Sequence, residues 1–96
     1  MKYEVRIDVD AADFLHSQDE KTRSIIKQNL GKLEDEPHPS PEAQSGDREK
    51  VTVNGEEVYL MHISRSYTAF YVINEDKQQV VVTDIVDIDT AHKMYD

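Results

Sequence analysis

The side chains with chemistry to offer here are four histidines, His16, His38, His62 and His92, and a large set of carboxylates. No two histidines stand three or four residues apart, the sequence has no cysteine, and neither H-E-x-x-H nor a glycine-rich phosphate loop occurs. Neither a metal nor a cofactor is therefore expected. His62 alternates with Leu60 and Val58 along an extended run. If that face of the sheet is open, His62 is placed to act as a general base near neutral pH; the other reading is an edge histidine with no task. His92 and Tyr95, three residues apart near the C-terminus, can project onto the same face, or the tyrosine simply packs against the sheet. Asp84, Asp87 and Asp89 look like an oxygen cluster for a hard cation. On a strand end, however, Asp87 and Asp89 share one face and Asp84 takes the other, so a solvated acidic edge is the better reading. Tyr59, Tyr67 and Tyr71 sit at strand spacing and read as core or cross-strand pairs, because a base-stacking platform needs a basic groove beside it.

The elements that must position these groups are legible from pattern. Three runs, Val58–Ile63, Tyr67–Ile73 and Gln79–Val86, have strand length and are rich in β-branched and aromatic residues. The turns between them, Ser64-Arg65-Ser66 and a short polar stretch from Asn74, leave no room for a crossover, which predicts an antiparallel meander. The last run is apolar on both faces around Val80 to Val82, as a covered strand is. Asn54-Gly55 sits between two extended runs and suits a two-residue hairpin turn, adding a strand from Lys50. Met1 to Val9 alternates, with Tyr3, Val5, Ile7 and Val9 on one face, and predicts a half-buried first strand.

Asp10 is placed to cap a short helix through His16 that buries Phe14 and Leu15. Ser17 and Glu20 match a capping box for a second helix, whose buried side carries Ile26, Leu30 and Leu33 with Ile25 beside them. Gly31 costs roughly 1 kcal/mol in a helix interior and is expected to mark close packing on the sheet. Pro37 ends this element near Glu34. Residues 34–47, with three prolines and five acids, read as a flexible, solvated connection. Ile88, Ala91 and Tyr95 share a helical face, so the chain closes on a short helix. The whole is an α+β layout over one domain, 1–96: an N-terminal strand, a two-helix hairpin on one sheet face, a 3–4-stranded antiparallel meander and a short C-terminal helix.

Charge restricts function. Twenty acids against eleven Lys and Arg give a net charge of -9, and the mean hydropathy is -0.71. Such a surface repels phosphate, whereas nucleic-acid affinity comes from cations that release counterions. Any charged partner is expected to be basic. No apolar run approaches a membrane span, and no signal-like segment opens the chain, so a cytoplasmic protein without a membrane partner is expected.

Several of these words together resemble the RelE/ParE superfamily of bacterial and archaeal toxins. They are Tyr3-Glu4-Val5 opening the first strand, Phe14-Leu15 in the helix pair, and Leu30-Gly31-Lys32-Leu33 before a proline-containing loop. The run from Glu57 through Ile63 into Tyr67–Ile73, then the strand from Val80 to Ile85 and the tail ending in Tyr95, completes the likeness, which covers nearly the whole chain. The resemblance implies a toxin of a toxin–antitoxin system, with a small antitoxin-like protein as partner. It implies RNA or the ribosome as a second partner, which the negative charge disfavours. Ribosome-dependent ribonucleases in this superfamily cut messenger RNA with Lys and Arg on the sheet face and a C-terminal Tyr or His. Carried onto this chain, the two alternating basic positions are Leu60 and His62. The position commonly Arg in the next strand is Thr68, and the basic residue of the last segment falls near Asp89. Tyr95 and His92 keep the terminal aromatic and imidazole, and Arg65 supplies a cation in the turn beside them. The expectation is a degenerate or weak mRNA-cleaving protein. The alternatives are an active endoribonuclease (an mRNA interferase) built on His62, Arg65, His92 and Tyr95, or a non-catalytic interaction module on the same fold.

Overall fold

The antiparallel runs fold as their turns require. The computed structural model describes residues 2–39 and 48–94. Within them, β2 (Arg48–Val53), β3 (Glu56–Ile63), β4 (Tyr67–Asn74) and β5 (Gln79–Asp87) form the meander, and β1 (Glu4–Ile7) joins its β5 edge in parallel, giving the order β1-β5-β4-β3-β2. The parallel pairing is possible because α1 (Val9–His16), α2 (Glu20–Gly31) and a 3-10 turn (Lys32–Glu34) carry the chain away from β1 first. A short helix, α3 (Ile88–Met94), follows β5 directly.

The two sheet faces are covered by different helices. Ala11 and Leu15 of α1, Ile26 and Leu30 of α2, and Leu33 pack on Met61, Ile63, Ala69, Tyr71, Val80, Val82 and Ile85. On the opposite face Ala91 of α3 packs on Leu60 and Phe70, with Val51, Val53, Val58, Val86 and Met94 around them. A bulge reconciles β5 with this division: register passes from Phe70↔Asp84 to Tyr71↔Val82, so Thr83 is the extra residue. The change of phase lets Val80, Val82 and Ile85 all face α1 and α2.

Several boundaries differ from the sequence reading. The first strand stops at Ile7, and Val9, 70% exposed, opens α1 with Asp8 rather than Asp10 before it. The second helix is capped by Asp19, which accepts the Thr22 amide at 2.7 Å, and not by Ser17. The Ser17 hydroxyl instead donates to the Phe14 carbonyl at 2.6 Å and closes α1. Ile25 faces solvent. A Cβ at Gly31 would meet nothing within 4 Å, so this glycine marks no contact with the sheet. In the connection, Pro37 is buried and its carbonyl accepts the Tyr71 hydroxyl at 2.5 Å, which fixes the start of a segment read as solvated. Residues 40–47 lie outside the described residues. Asn54 and Gly55 have φ of 52° and 83°, the conformation their hairpin needs.

Candidate functional site

Hairpin register builds the candidate site. Because the two-residue Asn54-Gly55 turn pairs Val53 with Glu56, it also pairs Glu49 with Leu60 and brings Glu49 diagonal to His62. The Glu49 Oε2 lies 3.3 Å from His62 Nε2. On the other side Thr68, fully buried and directly opposite His62 on β4, sets its Oγ1 3.5 Å from His62 Nδ1. The imidazole side chain keeps 26% exposure. His62 is thus a half-buried imidazole with a carboxylate at one ring nitrogen, an arrangement that orients the ring.

The other candidates gather around this end of the sheet to different degrees. Arg65 is exposed in the β3–β4 turn, whose Ser64 has φ of 54°. That turn meets the start of α3, because the Ile88 amide donates to the Ser66 carbonyl at 2.9 Å. His92 is exposed on α3, one residue past the buried Ala91, and α3 lies on the same sheet face as His62. Tyr95 lies outside the described residues. Leu60, two residues before His62, is fully buried beneath α3, so this alternating position belongs to the core and not to an open surface.

Of the three acidic positions near the end of β5, Asp87 serves the backbone. Asp87 closes β5 and accepts the Thr90 amide at 2.8 Å, and that hydrogen bond holds its carboxyl below the usual carboxylate range. Asp89 lies in the first turn of α3, so Asp87 and Asp89 are not strand neighbours on one face. Among the described residues no group of three His, Asp or Glu comes together as a metal site.

Cations are scattered relative to His62. Lys21, Lys27 and Lys32 are exposed on or beside α2, which packs against the opposite sheet face. Arg6 pairs with Val81 on β1, three strand spacings from β3, or about 14 Å of sheet width. Among the described residues, β3 carries no lysine or arginine beside His62.

A second histidine–carboxylate pair escaped the sequence reading. His38 Nε2 lies 2.6 Å from Glu75 Oε1, and the Tyr3 hydroxyl donates to Glu75 Oε2 at 3.0 Å. That bond to an anion raises the Tyr3 phenol above its ordinary value. The His38 ring is edge-on to Tyr3 and Tyr59, and Tyr59 stacks on its cross-strand partner Tyr71 at 5.7 Å between centroids. Tyr67 in turn takes Phe14 edge-on at 5.8 Å, so the strand tyrosines are core and cross-strand pairs. Residues 37 and 72 positions apart make these contacts, and no local pattern signals them. Glu49, by contrast, was reachable by counting back from the Asn-Gly turn.

Comparison with known proteins places this architecture. No protein-family model matches the chain, and no curated protein matches it by sequence. Solved structures do. The chain is similar to the archaeal RelE of the RelE–RelB complex from Pyrococcus horikoshii, with TM-score 0.70 and 20% identity over 91% of this chain and 96% of that one. It is similar to a chain of the toxin–antitoxin complex RelBE2 from Mycobacterium tuberculosis, with TM-score 0.73 and 17% identity over 91% and 99%. The isolated E. coli RelE toxin matches with TM-score 0.60 and 17% identity over 95% and 96%.

Proposed function

From the RelE toxin fold that this chain has, we propose that it is a RelE/ParE-like protein of a toxin–antitoxin-type system whose capacity to cleave messenger RNA is weak or lost. The observation that carries this reading is the fate of the two alternating positions on β3. Where the resemblance implies cations facing RNA, Leu60 is sealed under α3 and His62 faces the carboxylate of Glu49. Cleavage through a 2′-oxygen needs a base, an acid and positive charge on the phosphate. Removing one hydrogen-bond donor to a developing anion costs about 2.7–4 kcal/mol of transition-state stabilisation, and this face lacks several cations that the resemblance implies. The partner in this reading is a small antitoxin-like protein, in keeping with the RelE–RelB complexes among the similar structures.

One contact favours the active alternative. His62 held by Glu49 has the form of an oriented general base, with Arg65 as the cation nearest in sequence and His92 and Tyr95 as acid candidates. Inducing the gene and mapping transcript ends separates the two. Normal growth with intact transcripts supports the lead reading. Cleavage that disappears in both His62→Ala and Tyr95→Phe supports the ribonuclease.

A further inference from the structure

The acid excess of this chain is not uniform. Between Glu20 and Leu33 stand four cations, Lys21, Arg23, Lys27 and Lys32, against one acid, while the remaining seven cations face nineteen acids. Arg23 is half-buried and donates to the Gln18 carbonyl, which leaves three lysines against Glu20 on the exposed side of α2 and the turn after it, opposite in sign to the molecule as a whole. Along it Lys21, Ile25, Gln28 and Lys32 recur at i, i+4, i+7 and i+11, one continuous stripe about 16 Å long. Ile25, 39% exposed, is its apolar centre, and a lysine stands at each end.

Gly31 bears on the same face. Its backbone is ordinary right-handed helix, with φ of -60°, so no conformational need calls for glycine. Nothing inside the molecule approaches it either, although glycine weakens a helix relative to alanine. With Ser24 one heptad earlier, it leaves the flank of the stripe low enough for another backbone to come close.

We propose that this face of α2 docks an acidic amphipathic helix of a partner protein, with carboxylates against Lys21 and Lys32 and an apolar side chain against Ile25. The inference deepens the toxin–antitoxin reading by giving the partner's docking segment a chemistry, and rests on that reading for the partner's origin. It also revises the expectation drawn from net charge, because the segment that docks here is acidic although the chain as a whole calls for a basic one.

The test uses the full chain, isotopically labelled for NMR, and a synthetic alanine-rich peptide of about 20 residues, long enough to be helical. The peptide bears glutamates eleven positions apart around a central leucine. The expected result is saturable shifts confined to the outer side of α2, weakened by salt. Double substitution Lys21→Glu with Lys32→Glu lowers affinity about tenfold, and a lysine version of the peptide restores binding to that variant. Gly31→Leu blocks binding while thermal stability is kept, since a Cβ at this position meets no neighbour within 4 Å and leucine is a better helix former than glycine. Acidic and lysine peptides binding the parent equally, or an acidic peptide that leaves α2 unperturbed, would overturn the proposal. So would a single-stranded RNA oligonucleotide perturbing α2 more strongly than the peptide. None of these outcomes bears on transcript cleavage, so failure here is separate from failure of the toxin reading.

Discussion

Position 60 decides more than its chemistry suggests. Leu60 is fully buried between the sheet and α3, so a cation there loses its solvent, and the carboxylate across the strand pair from it, Glu49, is already turned to His62. Leu60→Ala is expected to cost about 2–5 kcal/mol in urea unfolding. Leu60→Lys is expected to abolish the cooperative transition at neutral pH without conferring RNA cleavage; a folded, active Leu60→Lys protein would show that this face is open after all. Acid sensitivity belongs to the same scale. Asp19 and Asp87 each accept a backbone amide at a helix start, and both carboxyls are lowered from their ordinary value by those bonds. Their contribution is complete above the unfolded carboxylate range and lost as pH falls through the lowered folded values. Asp19→Ala and Asp87→Ala should therefore be less stable than the parent at pH 7, with the gap closing in melts taken progressively further below about pH 4.

At the scale of elements, the hairpin and the connection carry the argument. Gly55 sits at φ of 83° in the turn that sets the β2–β3 register. Gly55→Ala should destabilise the protein by about 1 kcal/mol or more and loosen Glu49 from His62, read as faster amide exchange along β2. Tyr71→Phe leaves the buried Pro37 carbonyl without its donor. A cost of about 1–3 kcal/mol is expected, with faster proteolysis after Pro37. The strands, the helix pair and the Asn-Gly turn were legible because each is written in local periodicity. Gly31 was misread because a glycine in a helix need not pack against anything, and here nothing lies within 4 Å of where its Cβ would stand. The choice of Asp19 over Ser17 as cap turned on whether the first helix needed Ser17 for its own end, which depends on where that helix stops. The parallel β1–β5 pairing and the His38–Glu75–Tyr3 contacts join residues dozens of positions apart. Only the assembled sheet brings them together.

Over the whole molecule, fold and charge point in different directions. The architecture is that of RelE toxins at 16–20% identity to several of them, while twenty acids stand against eleven basic residues. The sheet separates the charges further: the cations of α2 lie across it from His62, and the His62 face sets the carboxylate of Glu49 beside the imidazole. Among the described residues no helix is long and apolar enough to cross a membrane. The most direct test is purified protein added to ribosomes translating a defined messenger, with transcript ends mapped over time. Messenger left intact at protein concentrations matching the ribosomes is the result predicted. Cuts in the messenger that vanish in His62→Ala would contradict it.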